Sequence, residues 1–298
     1  MKLLLSIVVA NYNYGRFLTE AIKSVLVQCE DPVWVDGHPV LPIKGRPQDA
    51  VELIICDAAS KDNSVEVIRR YEKHLSWWCS EPDGGQSAAF NKGFSHARGE
   101  WLTWLNADDF YLPDVFIAFA KLVAVNSCAQ WITGNTIHFD SETGCVVGVN
   151  WGPHRQPPIL AKQHAFSAVF GPTTFWKREL YERVGPIDEK LHYAMDTEYW
   201  ARLTMAGVQQ IRLNKFCWAF RDHIDSKTEG AQSLVVQERR IRETHYWKGK
   251  TGYRFRKSLR NPWYIAWLCW RIVDGSLLIR FYKRKTLLGK DIHSLVAT

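Results

Sequence analysis

Two adjacent carboxylates, Asp108 and Asp109, close the apolar run Trp101-Leu102-Thr103-Trp104-Leu105-Asn106-Ala107. Burying an unpaired ionised carboxylate is costly, so such a pair calls for an offsetting positive charge. A divalent cation supplies it. Hard oxygen ligands favour Mn²⁺ or Mg²⁺ over zinc, and few protein ligands leave coordination positions open for a diphosphate. The alternative is a helix N-cap, with Asp109 satisfying backbone N–H groups. Glu81-Pro82-Asp83-Gly84-Gly85-Gln86-Ser87, followed by Asn91-Lys92-Gly93, puts paired glycines at a helix entrance. There the backbone can approach a ligand and the helix N-terminus favours anions, or the segment is a plain capped turn. In Tyr193 to Leu203, Asp196 stands where a helix would begin and Glu198 two residues on, on a different face. Arg202, four residues past Glu198, offers that glutamate a structural ion pair. Finally, Arg221-Asp222-His223-Ile224-Asp225-Ser226-Lys227-Thr228 after apolar Phe216 to Phe220 offers an imidazole ligand and phosphate-contacting cations, or a solvated loop.

Strand-like and helix-like stretches alternate through the first half, the pattern of a mostly parallel sheet with crossover helices. Strands are expected at Leu4 to Ala10, Val51 to Cys56, Trp77 to Ser80 and Trp101 to Leu105. Helices are expected at Phe17 to Gln28, Ser64 to His74 and Ser87 to Ala97. Open α/β sheets bind ligands outside the carboxyl ends of their strands, where Asn106 to Asp109 falls. Glu30 to Asp49 holds four prolines and little periodicity and reads as a surface insertion. Two β-like segments between Ala129 and Gly148 flank the turn Asp140 to Gly144, and helical patterning returns at Lys177 to Val184, Asp196 to Ala206 and Gln232 to Trp247.

The 298 residues are 46% apolar and 23% charged, an ordinary globular composition that excludes wholesale disorder. No apolar stretch of about 18 residues lacks a charge, which removes a spanning helix. Met1-Lys2 leads straight into Leu3 to Ala10 and then Asn11-Tyr12-Asn13, a buried strand rather than a signal peptide. Seven scattered cysteines with no C-x-x-C spacing point to neither a disulfide framework nor a zinc ribbon, and favour a reducing, cytoplasmic setting. The formal charge of +7 is uneven: residues 248–298 carry twelve Lys or Arg against two Asp, and the rest is mildly acidic. A nucleic-acid-binding reading of the basic tail conflicts with that acidic, carboxylate-bearing body. A nicotinamide-dependent Rossmann enzyme lacks its G-x-G-x-x-G after the first strand.

In their order and spacing these segments resemble the family 2 glycosyltransferases, which have the GT-A fold. The resemblance rests on Ser6-Ile7-Val8-Val9-Ala10-Asn11-Tyr12-Asn13, Ile54 to Ser64, Ser80 to Gly93, Gly99 to Asp109, and Gly171-Pro172-Thr173-Thr174-Phe175 through Leu203. It covers about residues 4 to 228 and is closest in character to bacterial cell-surface polysaccharide transferases. It implies a GT-A domain over 1–228, with a Rossmann-like central sheet flanked by helices, and a basic, Trp-rich helical extension over 229–298. It implies a donor site in which Asp57 contacts the uracil-like base or ribose and Ala10, Asn11 and Tyr12 line the same pocket. Gln86, Asn91, Lys92, Asn106, Ala107 and Asp108 complete that site. Asp108 would be the main ligand of Mn²⁺ or Mg²⁺, His223 a further ligand and Asp196 the general base. Thr173, Thr174, Glu198, Arg221 and Lys227 would belong to the acceptor and phosphate region. Two positions depart from the family pattern: Asn106 replaces the first Asp of the DxD-type motif, and Ala58 replaces a glycine.

The implied reaction moves a sugar from a nucleoside-diphosphate sugar, first of all a UDP-sugar, to a hydroxyl of a glycan or lipid-linked glycan. Anomeric configuration is inverted, and the setting is capsule, O-antigen or exopolysaccharide synthesis. The rival is a GT-A-like module that binds a nucleotide sugar without turning it over. For the tail, Trp263, Trp267 and Trp270 at i, i+4 and i+7 among many cations suggest a peripheral anchor on an anionic membrane surface. The other reading packs those indoles on the catalytic body or a second subunit.

Overall fold

The computed structural model describes residues 1–153, 171–227, 238 and 262–296. The helix expected over Gln232 to Trp247 therefore lies outside the described residues apart from Glu238. In chain order the first half forms β1 (Lys2–Asn11), α1 (Gly15–Leu26), β2 (Val33–Val35), β3 (His38–Ile43) and β4 (Arg46–Asp57), then α2 (Ser64–Tyr71), β5 (Trp77–Ser80), α3 (Gln86–Ser95) and β6 (Trp101–Asn106). The second half adds β7 (Phe110–Tyr111), α4 (Val115–Val125), β8 (Trp131–Asp140), β9 (Val146–Asn150), β10 (Thr174–Lys177), α5 (Arg178–Val184), α6 (Met195–Met205) and β11 (Ile211–Asp222). Three helices follow: α7 (Pro262–Val273), α8 (Ser276–Leu287) and the short α9 (Ile292–Val296).

The strands form one sheet in the order β2-β3-β4-β1-β6-β10-β8-β11-β7, with β5 beside β4 and β9 beside β8. Strand β1 runs parallel to both β4 and β6, and β5 parallel to β4. Helices cover both faces of such strands, so β1 reads as an unbroken apolar run rather than an alternating one. Beyond β6 the pairing turns antiparallel through β10, and β11 returns parallel to β8. Register decides where the chemistry gathers. Asn11 lies opposite Asp57, Ala10 opposite Asn106, and Asp57 opposite Ser80, so four strand ends align along one rim. Helix α3 sits on this half closely enough that a Cβ at Gly93 would come within 2.2 Å of the Val8 side chain.

The Glu30 to Asp49 segment is not a surface insertion. Its β2–β3 hairpin extends the sheet past β4, with Leu41 paired to Val51 and with Val40, Leu41 and Ile43 in the core. Prolines 39 and 42 disguised it as a loop, because proline cannot donate to an interior ladder but is accepted near a sheet edge. The chain end is similarly integrated. Arg271 of α7 donates to the Trp151 carbonyl and Arg280 of α8 to that of Val149, while the Lys290 carbonyl accepts from Val146 N–H. Ile292 is fully buried. The outer face stays open at Ile272, Val273, Leu278, Phe281 and Tyr282. In the expected indole stripe Trp267 and Trp270 are half-buried, and the Arg271 guanidinium lies 5.0 Å from the Trp267 ring centroid. The Trp263 side chain lies outside the described set.

If the hairpin belongs to the core, Leu41→Ala lowers unfolding stability by about 2–5 kcal/mol, the range for truncating a buried leucine. Trp34→Ala on the same hairpin, at a largely exposed site, changes it by less than about 0.5 kcal/mol. Urea unfolding of the two variants measures both.

Candidate active site

A cavity of about 750 Å³ opens outside the carboxyl ends of β1, β4, β5 and β6. One part of its wall is Ala10, Asn11, Tyr12 and Ala58, and another is Pro82, Asp83, Gly85 and Gln86. Asn106, Ala107 and Asp108 contribute from β6, His192, Tyr193, Met195 and Asp196 from the start of α6, and Trp218, Phe220 and Lys227 from β11 and the loop after it. The volume falls in the range of pockets that enclose small-molecule ligands.

Asp57 stands behind this wall. Its Oδ1 accepts from Asn11 Nδ2 at 2.6 Å and from the Ser60 hydroxyl at 2.5 Å. Its Oδ2 accepts from Ser80 Oγ at 2.6 Å and from Ser60 N–H at 3.0 Å. The carboxylate thus ties the ends of β1, β4 and β5 together and fixes the Asn11 amide. Asn11 Oδ1 is buried at the cavity wall with no hydrogen-bond partner among the described residues. Buried polar atoms are nearly always satisfied, so this acceptor invites a donor from a ligand.

The two adjacent aspartates have different roles. Asp109 is buried, and burial, followed by the neighbouring Asp108 charge, pushes its carboxyl well above the ordinary carboxylate range. Its Oδ1 accepts from the Arg221 backbone N–H at 2.9 Å and its Oδ2 from Asn106 Nδ2 at 2.9 Å. It is therefore a cross-link between the β6 turn and β11, not the helix cap that the sequence also allows. Arg221 completes the clamp: Nε donates to the Asp108 carbonyl at 2.8 Å, Nη2 pairs with Glu20, and the guanidinium lies 4.6 Å from the Phe17 centroid and 4.7 Å from that of Phe139. Asp108 is left to line the cavity, with Oδ2 3.1 Å from His223 Nε2. The His223 ring is packed against Tyr14 and Phe17. Burial, with help from Asp108 and Asp225, pushes the Tyr14 phenol up to about 12, so it stays neutral beside them.

The departure at Asn106 has a structural reason. Lys227 Nζ donates to Gln86 Oε1 at 3.2 Å, Gln86 Nε2 donates to Asn106 Oδ1 at 2.9 Å, and Asn106 Nδ2 donates to Asp109. An aspartate at 106 could accept but not donate, and would set a second carboxylate against the first.

Asp196 begins α6, where its Oδ1 accepts from Thr197 N–H at 2.6 Å. The helix is positioned by aromatic packing: Trp200 stacks on Trp104 at 5.1 Å and meets Trp176 at 5.5 Å. Glu198 does not reach the cavity. It pairs with Arg202 at 2.9 Å, and Arg202 also donates to the carbonyls of Val184 and Pro186, lashing α6 to the end of α5. Asn91 likewise serves the scaffold, bridging Ile187 N–H and C=O, Tyr181 and Glu189, and Lys92 pairs with Glu81 at 2.9 Å. Neither lines the cavity. Thr173 and Thr174 are buried behind Gly171 and Pro172, and Arg221 lies behind Asp108. Ala10, Asn11, Tyr12, Gln86, Asn106, Ala107, Asp108, Asp196 and Lys227 are brought together as expected.

Trp104, His192, Tyr193, Trp218 and Phe220 line the cavity without having been singled out. Trp218 and Phe220 carried a readable signal, since strand residues two apart share a face.

The family model for glycosyl transferase family 2 matches residues 6–185. This chain belongs to that family. It is 28% identical over 195 residues to an uncharacterized glycosyltransferase of Nostoc, spanning 62% of this chain and 54% of that protein. It is 29% identical over 145 residues to the glycosyltransferase GlyG of Streptococcus pneumoniae, spanning 48% and 42%. The chain thus spans about half the length of these curated relatives. Among solved structures it resembles residues 1–349 of Staphylococcus aureus TarS in complex with UDP-GlcNAc, with TM-score 0.57, 13% identity and coverage of 92% and 73%. It also resembles the mannosyltransferase PcManGT of Pyrobaculum calidifontis in complex with GDP-Man and Mn²⁺, with TM-score 0.54, 18% identity and coverage of 94% and 79%. The fold of this family 2 chain is GT-A, as its sequence resemblance implied.

Among the described residues no group of three or more His, Cys, Asp or Glu side chains converges on a metal position. Asp108 Oδ2 and His223 Nε2 nevertheless fit a divalent cation. Donors 3.1 Å apart match adjacent corners of an octahedron with bonds of about 2.1 Å. One carboxylate with one imidazole leaves most positions open.

Asn106→Asp should destabilise the fold by about 1–3 kcal/mol, because it removes the donor to the buried Asp109 and adds a like charge. A fall in the urea midpoint at unchanged slope would show this, whereas an unchanged midpoint would remove Asn106 from the network.

Proposed function

We propose that the chain is a metal-dependent inverting glycosyltransferase. It takes a nucleoside-diphosphate sugar as donor and a hydroxyl of a glycan or lipid-linked glycan as acceptor, in polysaccharide synthesis at the cytoplasmic face of a bacterial membrane. The observation that carries this reading is that Asp108 and Asp196, delivered by different elements, line one cavity at the carboxyl ends of parallel strands. A module that only held a nucleotide sugar would have no use for the second carboxylate.

The nucleotide base lies against Ala10 to Tyr12 and Ala58, where the unpaired Asn11 Oδ1 accepts a ring N–H; uracil offers one, and a UDP-sugar is the first candidate donor. Asp108 and His223 would hold Mn²⁺ or Mg²⁺, which when bound offsets negative charge gathering on the departing diphosphate. Lys227, whose pKa burial lowers, adds a cation on the same wall. Tyr193, Trp218 and Phe220 give apolar faces for a sugar ring. As the acceptor oxygen bonds to the anomeric carbon, the bond from that carbon to the diphosphate oxygen breaks and its electron pair leaves with the nucleotide. Asp196 takes the acceptor's proton, and one in-line displacement inverts the centre.

Donor binding should raise apparent stability by about 2.7 kcal/mol at a hundredfold excess over Kd. A panel of UDP-, GDP- and dTDP-sugars with Mn²⁺ or with EDTA tests it by thermal unfolding. Asp108→Ala abolishes the metal-dependent shift, while Asp196→Asn keeps it and loses transfer. Equal loss of binding in both variants would sink this division of roles.

The reading of a membrane-facing acceptor rests on the open face of α7 and α8. Phe281, Tyr282 and Leu278 stand exposed next to Arg284 and Lys285, and no described helix is long and apolar enough to cross a membrane. Exposed aromatic and aliphatic side chains beside cations suit an anionic headgroup zone. The chain should sediment with phosphatidylglycerol vesicles and not with phosphatidylcholine ones. Phe281→Ser with Leu278→Ser should weaken that binding severalfold, and equal binding to both lipids would refute it.

A further inference from the structure

Three backbone N–H groups in a row, of His192, Tyr193 and Ala194, point at one carboxylate, and it comes from far along the chain. Glu238 Oε1 accepts from His192 N–H at 2.8 Å, and its Oε2 accepts from Tyr193 N–H at 2.6 Å and Ala194 N–H at 2.9 Å. Ala194 is the residue before the first turn of α6, and Asp196 follows two positions later. Successive N–H groups at a helix start form a concave site for an anion, reinforced by the positive end of the helix dipole. Caps of this kind usually come from the adjoining residues; this one is 44 residues away from Ala194. The same loop is gripped from the other side, where Ser87 Oγ donates to the Leu191 carbonyl at 2.7 Å. What the loop carries is functional surface: His192, Tyr193 and Asp196 all line the cavity.

We infer that Glu238 is a positioning residue, a carboxylate latch that sets the loop before α6 and thereby aims Asp196 at the acceptor. This rests on the reading of Asp196 as the base. The base and metal side of the donor site is built by Ala10 to Tyr12, Ala58 and Asp108, away from the latch. Lys227, which lies over the Tyr193 ring and feels the Glu238 charge, keeps its own bond to Gln86, so losing Glu238 costs donor binding little and spoils the transfer geometry. A misplacement of about 1 Å can cost on the order of a hundredfold in rate.

The full chain as wild type, Glu238→Ala and Glu238→Gln is assayed for Mn²⁺-dependent release of UDP from UDP-N-acetylglucosamine, or of GDP from GDP-mannose, with water as acceptor. The expected result is a kcat lower by about tenfold or more with the donor KM within about threefold of wild type. Added formate or acetate should restore Glu238→Ala by occupying the vacated N–H groups. It should not restore Glu238→Gln, whose amide fills the space. Hydrogen exchange of amides 192–194 should quicken in both variants. Unchanged exchange, unchanged kcat, or a joint collapse of kcat, KM and thermal midpoint without carboxylate rescue would each overturn the latch. A wild-type chain that releases nucleotide from none of the donors that raise its thermal midpoint overturns the base assignment and the positioning role together. The exchange data then still report whether Glu238 caps the loop, which separates the two failures.

Discussion

The site depends on one buried carboxylate. Asp109 sits where an ion is expensive to bury, and it is held by an N–H from β11 and an amide from the β6 turn. Neither strand end can shift without stranding it, so its cost becomes a geometric constraint. Asp108, its neighbour, inherits that constraint and faces the cavity beside His223. The pair therefore divides into a buried anchor and a cavity-facing carboxylate.

A second level of order comes from strand register. Parallel pairing of β1 with β4 and β6 brings residues distant in sequence to a common rim, and Asp57 then stitches three of those ends with its four hydrogen bonds. The other side of the cavity is set differently, by indoles. Trp104 is both part of the cavity wall and the surface on which Trp200 stacks, so the position of α6, and with it of Asp196, is decided by aromatic packing beneath the ligand space. Rigid strand ends stand on one side and a packed helix on the other, and the loop that leads into that helix is held by Glu238.

Much of this was legible in the chain. Unbroken apolar runs ending in polar residues located the parallel strands and the rim, and the cavity gathers nine of the residues singled out from sequence. The misses have physical causes. Asn91, Glu198 and Arg221 are polar residues near functional segments, and sequence gives no direction to a side chain; each turns inward to tie elements together. The hairpin of β2 and β3 was hidden by prolines, which signal a loop until their place at a sheet margin is known. Glu238 could not be found by any local pattern, since its partners lie in another part of the chain.

That hairpin has a further effect, on how copies of the chain meet one another. The twelve residues of β4 share their outer margin between β3 along the first part and β5 along the last, so no long bare ladder is left there. The sheet instead ends in two short strands, β2 of three residues adjoining Pro32 and β5 of four. A margin so short, with proline next to it, is a poor template for a neighbouring molecule's strand. Crowding many copies together would then carry little risk of edge-to-edge sheet growth from that side.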